Sequence, residues 1–130
     1  MNKKVSSFED LIIWQRAQKL AKRIYLLAEQ NTFIKKDFSF KDQLKRASLS
    51  VSDNIAEGFD YNNNADFYRY LRIAKGSCGE VRNKLLFLQE MDFHDDTNIT
   101  DIKNETLEIG KQIGCLMQKV REKYKNSRNS

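Results

Sequence analysis

A chain of 130 residues with 40% hydrophobic and 32% charged side chains has the length and balance of one soluble domain that can bury its own core. With no proline and only 5 glycines it lacks the turn formers that an all-β design needs, and no apolar run approaches the ~20 residues of a membrane span. The net charge of +5 is carried by residues 1–30 and 96–130, while 31–95 is balanced; such an excess suits attraction to nucleic acid and describes a solvated lysine-rich face equally well.

The first helix is predicted over about 7–30, opened by the capping-box pattern of Ser6 and Glu9. Leu11, Trp14, Ala17, Ala21, Ile24 and Ala28 recur every three or four residues and share one stripe of it. Asn31 to Phe38 reads as a loop. The second helix is predicted over 39–58, capped by Ser39, with a stripe of Leu44, Ala47, Val51 and Ile55 and a left-handed turn at Gly58. The run Asn62, Asn63, Asn64 is the next connection.

The third helix, over 64–92, has the clearest periodicity: Phe67, Leu71, Ala74, Cys78, Val81, Leu85 and Leu88 alternate steps of four and three. After a polar loop over Asp95 to Asn98, the fourth helix, over 99–124, repeats the pattern with Ile102, Thr106, Ile109, Ile113, Leu116 and Val120, and the tail 125–130 is expected to fray. Four amphipathic helices with short connections pack as an all-α, antiparallel up-down-up-down four-helix bundle forming a single domain over 1–130. That topology puts both chain ends at one pole, where Lys3 and Lys4 join Lys119, Arg121, Lys123, Lys125 and Arg128. Solvated chain ends and a binding patch are both consistent with such a pole.

The ingredients of catalysis are thin. His94 is the only histidine, falls in a predicted loop, and has no cysteine or serine partner at a recognisable spacing. Gly76, Gly79, Gly110 and Gly114 lie inside helices with no strand before them, so they form no phosphate-cradling loop. One histidine cannot furnish a di-iron bundle, and Cys78 and Cys115 have no ligand spacing. No catalytic residue, metal or cofactor is therefore expected. The first ten residues lack the blocks of a signal peptide, which leads to the expectation of a cytoplasmic protein with free thiols.

Two features point outward from the expected core. On the second helix Arg46, Ser50, Asp53 and Glu57 form a polar stripe flanked by Asn54, which suits either water or another polar surface. On the third, Gly76 and Gly79 point away from the heptad seam, and each mid-helix glycine costs roughly 0.5–1 kcal/mol relative to alanine. Contact with a neighbouring subunit would offset that cost, and tolerated drift is the alternative reading.

Particular residues add to the pattern. Phe8 to Ala17 (FEDLIIWQRA), Gln43 to Gly58 (QLKRASLSVSDNIAEG) and Phe67 to Glu80 (FYRYLRIAKGSCGE) resemble the bacterial four-helix-bundle proteins encoded within 23S ribosomal RNA intervening sequences. The departure at Cys78 and Gly79, where that family carries small apolar residues, is slight. The resemblance implies a left-handed four-helix bundle assembled as a ring-like homopentamer with no assigned catalytic residue. It also marks Arg46, Ser50, Asn54, Glu57, Gly76, Ser77 and Glu80 as family-motif or subunit-interface positions, to which the glycine patch adds Gly79 as an interface candidate. The fold is remotely similar to the accessory proteins of diversity-generating retroelements, basic pentamers that bind nucleic acid and a reverse transcriptase. That similarity carries no residue-level role to this chain.

The expected function is that of a non-enzymatic homo-oligomer binding RNA or DNA, structured RNA foremost. Its basic surface would comprise Lys3, Lys4, Lys119, Arg121, Lys123 and Lys125 with the stripe Arg16, Lys19 and Arg23 on the first helix. The alternative is a protein-interaction scaffold or accessory subunit without direct nucleic-acid binding.

Overall fold

The computed structural model describes residues 4–91 and 96–129, and side chains within 4–91 and 97–126. Lys3, His94 and the side chain of Arg128 lie outside them. The described chain is helical throughout: a 3-10 turn at Phe8–Asp10, α1 over Ile12–Gln30, a short α2 over Thr32–Lys36, α3 over Phe38–Asp60, α4 over Asn64–Glu90 and α5 over Asp96–Asn129. The four long helices form the expected bundle, with α3 and α5 each packed against both α1 and α4.

Side-chain pairs show that neighbours run antiparallel. Tyr25 of α1 meets Lys45 of α3, and two turns back along α1 Gln18 meets Ser52, two turns on along α3. Likewise Phe40 faces Phe87 while Ser50 faces Ser77 across α3 and α4. The core between them is apolar because each helix buries one stripe. Ala17, Leu20, Ile24 and Leu27 come from α1, Leu44, Val51 and Ile55 from α3, Leu71, Ala74, Val81, Leu85 and Leu88 from α4, and Ile99, Ile102, Ile109 and Ile113 from α5. Thr106, the polar member of the last stripe, is buried with its hydroxyl donating to the Lys103 carbonyl.

Local boundaries differ from the sequence reading for identifiable reasons. The cap at the start shifts by one residue: the Asp10 carboxylate accepts from the Ser6 and Ser7 amides at 2.9 and 3.2 Å, and extended backbone at Leu11 separates the 3-10 turn from α1. The expected loop at 31–38 contains α2, because the Asn31 side chain caps Ile34 at 3.0 Å and Ile34 is fully buried. The cap of α3 is Asp37, accepting from the Phe40 amide at 3.0 Å, and Ser39 lies inside the helix.

Gly58 does not end its helix. It is buried within α3, and the left-handed residue is Asn62, with φ 57°. On α5 the helix starts by Asp96 and continues to Asn129, where fraying beyond Tyr124 was expected. Nothing after Gly114 breaks it, and Lys123 and Lys125 complement the negative end of the helix dipole. One end of the bundle thus gathers the start of the chain, the α3–α4 turn and the last turns of α5.

Candidate nucleic-acid interface

The last turns of α5 supply the basic end. Lys119, Arg121, Lys123 and Lys125 are all exposed, none is in an ion pair among the described residues, and Glu122 is the one acid among them. Lys4 is exposed at the same end. Free cations on a helix with few local acids project an unneutralised positive field, the requirement for phosphate contact.

The α1 stripe is a different surface. Counting from Ile12 at the basic end, Lys19 and Arg23 lie on the order of 10–16 Å along the axis, so the helix carries them away from that pole. Lys19 is exposed and Arg23 half-buried. Arg16 grips the Glu105 carboxylate of α5 through both Nε and Nη2, in a pair whose two side chains are 28% and 24% exposed. Its hydrogen bond to Glu105 raises the guanidinium pKa above its ordinary value against an opposing effect of burial, and the pair neutralises the charge locally.

The motif residues fall on and beside the α3–α4 seam. Ser77 donates to Ser50 at 2.9 Å, and the Asn54 amide donates to the Ser50 carbonyl at 2.7 Å and hydroxyl at 2.9 Å. Much of the polar stripe on α3 is therefore satisfied within the chain and stitches α3 to α4. Arg46 is exposed and pairs with Asp42 one turn back at 3.0 Å. Glu57 accepts from the Tyr61 hydroxyl at 3.2 Å, and Glu80 is exposed. Gly76 and Gly79 face open space: a Cβ built on either meets nothing within 4 Å. Their lack of a side chain serves no packing inside this chain.

Beside the basic end lies a corner that the periodicity passes over. Tyr61, in the α3–α4 turn, stacks on Tyr70 of α4 with ring centres 5.2 Å apart and planes 28° apart, and the Arg69 guanidinium lies 5.0 Å from the Tyr70 ring centre. Phe59 and Phe67 meet edge to face at 5.8 Å. Next to them a cleft of about 400 Å³ runs from the asparagines of the turn to Leu116, Val120 and Lys123 of α5. The Tyr70 hydroxyl contact and the Glu57 carboxylate push the Tyr61 phenol up to about 12, so it stays a neutral, hydrogen-bonding ring. The sequence signal for this corner is the five aromatic residues Phe59, Tyr61, Phe67, Tyr68 and Tyr70 flanking an asparagine run.

Other chemistry is sparse among the described residues. No group of histidine, cysteine, aspartate and glutamate side chains could hold a metal ion, and no helix is long and apolar enough to cross a membrane. Cys78 is buried and Cys115 exposed, both as free thiols.

Fold and surface together define an antiparallel helical-bundle protein with a basic end. The chain belongs to the 23S rRNA-intervening sequence protein family, whose model matches residues 9–115. In fold it is similar to a solved protein of unknown function from the S23 ribosomal protein family of Bacteroides thetaiotaomicron. The two superpose with a TM-score of 0.73 at 24% identity, over 82% of this chain and 98% of that one. No curated protein matches the chain.

Proposed function

We propose that this chain is a non-enzymatic, homo-oligomeric bundle of the cytoplasm that binds nucleic acid, foremost structured RNA, through its basic end. The observation that carries the reading is the set of exposed cations Lys119, Arg121, Lys123 and Lys125 on one stretch of α5, none in an ion pair among the described residues. Binding through such groups is driven by phosphate neutralisation and counterion release, so affinity should fall steeply as salt rises. Titrating a labelled structured RNA at low and high salt tests it: affinity lost between the two supports the reading, and no binding at low salt ends it.

Self-association is supported by the outer face of α4, and the family resemblance is what suggests a pentamer. There Gly76 and Gly79 open onto free space on the helix that also carries Ile73, Leu86 and Phe87, which are 47%, 45% and 47% exposed. Apolar side chains around a smooth helix surface suit close approach of another helix. Light scattering at micromolar concentration tests this part, and a strict monomer would end it. The same face favours a second reading, a scaffold that recruits proteins without touching nucleic acid. Oligomerisation without any salt-dependent RNA binding would select it.

A further inference from the structure

We infer that the α3–α4 corner is a site for unpaired nucleotides, the bases of an RNA loop or bulge stacking at Tyr61 while their phosphates run onto α5. The inference deepens the nucleic-acid reading above and rests on it. Duplex RNA buries its base faces and offers a protein mainly phosphates and hydroxyls, whereas unpaired bases are held by aromatic rings and arginine planes. The corner offers both kinds of group side by side, and a patch made only for phosphate would need no rings.

The aromatic part is prepared for such a role. Tyr61 is 49% exposed although its ring is already stacked on Tyr70, so one face is supported by the protein and the rest is open. The Arg69 guanidinium at Tyr70, itself paired with Asp66, extends the platform with a second planar group. A ring held in place from beneath loses little freedom when a base settles on it.

The polar part is arranged beside it. Asn63 is committed to the fold: its side-chain oxygen caps the Asp66 amide at 2.8 Å and its nitrogen donates to the Asp66 carboxylate. Asn62 and Asn64 are exposed along the adjoining cleft with no hydrogen bond from their side chains among the described residues, leaving carboxamides that can pair with base edges. Lys123 lines the same cleft as Asn62 and Asn64, and Lys119 is one turn behind it, placing cations along the path from the turn to α5. Of the nearby acids, Asp66 is engaged by Arg69 at 3.0 Å and Glu57 by Tyr61, which reduces their repulsion of phosphate, while Asp60 beside Tyr61 is exposed and in no ion pair among the described residues.

The test uses the full chain and two RNAs of equal charge, a hairpin whose loop carries a fluorescent purine analogue and a fully paired duplex. Expected are tighter binding of the hairpin, quenching of the analogue, and about a tenfold loss of hairpin affinity in Tyr61→Leu with duplex affinity unchanged. Tyr61→Phe, which keeps the ring, should bind as the unaltered protein does. Salt-dependent binding of both RNAs with no quenching, or with Tyr61→Leu affecting both equally or neither, overturns the corner while leaving the basic end standing. Failure of both RNAs to bind at low salt overturns the corner and the nucleic-acid reading together.

Discussion

Gly58 of α3 lies directly against Tyr70 of α4: a Cβ on Gly58 would come within 2.6 Å of the Tyr70 Cβ. The Tyr70 Cβ is fixed to its backbone, so the helices would have to part. Gly58→Ala should destabilise the fold by about 1–3 kcal/mol even though alanine is the better helix former, since overpacking outweighs a propensity gain of roughly 1 kcal/mol. Urea unfolding followed by circular dichroism measures it. An unchanged or higher midpoint would show that α3 and α4 separate at little cost.

Gly76 should behave in the opposite way. It is helical, exposed and free of neighbours within 4 Å, so Gly76→Ala should stabilise an isolated protomer by about 0.5–1 kcal/mol. If the outer face of α4 packs against another copy, the same methyl should weaken assembly. Denaturation and light scattering on one variant separate the two effects, and assembly unchanged alongside raised stability would remove that face from the interface.

The Arg16–Glu105 pair joins α1 to α5 with both side chains largely covered. Glu105→Gln should cost about 1 kcal/mol, more than most surface pairs contribute, because the guanidinium loses its anionic partner and part of its burial remains. It should also raise RNA affinity if the α1 cations reach nucleic acid, since Arg16 is then unneutralised. Unfolding curves and RNA titration at low salt read the two consequences.

The two thiols should differ sharply in reactivity. Burial, opposed in part by Arg82, pushes the Cys78 thiol from 9.0 to about 12, while Cys115 is exposed. A thiol reagent at neutral pH should modify Cys115 quickly and Cys78 only on unfolding. Because the folded pKa is the higher one, the neutral Cys78 thiol contributes stability that is complete below the unfolded value near 9.0 and is lost as pH rises towards about 12. Labelling followed by mass spectrometry checks the first point, and alkaline unfolding of Cys78→Ala beside the unaltered protein checks the second.

Much of the architecture was legible in residue spacing. Of the seam that the step of four and three named, Leu71, Ala74, Cys78, Val81, Leu85 and Leu88 are buried and Phe67 at its start is half-buried, because helix pitch alone decides which side chains share a face. The exposed cations of α5 were legible for the same reason. Spacing was silent on partners: it set Arg16 beside Lys19 and Arg23 on a basic stripe, and the approach of Glu105, 89 residues away in the chain, takes Arg16 out of it.

What the sequence determined by itself was therefore the periodic part, four amphipathic helices and the sign of the charge at their ends, since these follow from interactions within a few residues. Tertiary structure decided the rest. Burial of Ile34 makes a helix of an expected loop, and the nearness of Tyr70 keeps Gly58 inside a helix and not after one. Packing of α3 against α4 stacks Tyr61 on Tyr70 and sets Phe59 and Phe67 at the cleft that Lys123 of α5 also lines. Each depends on atoms from another helix, whose distance is set only once the core has closed.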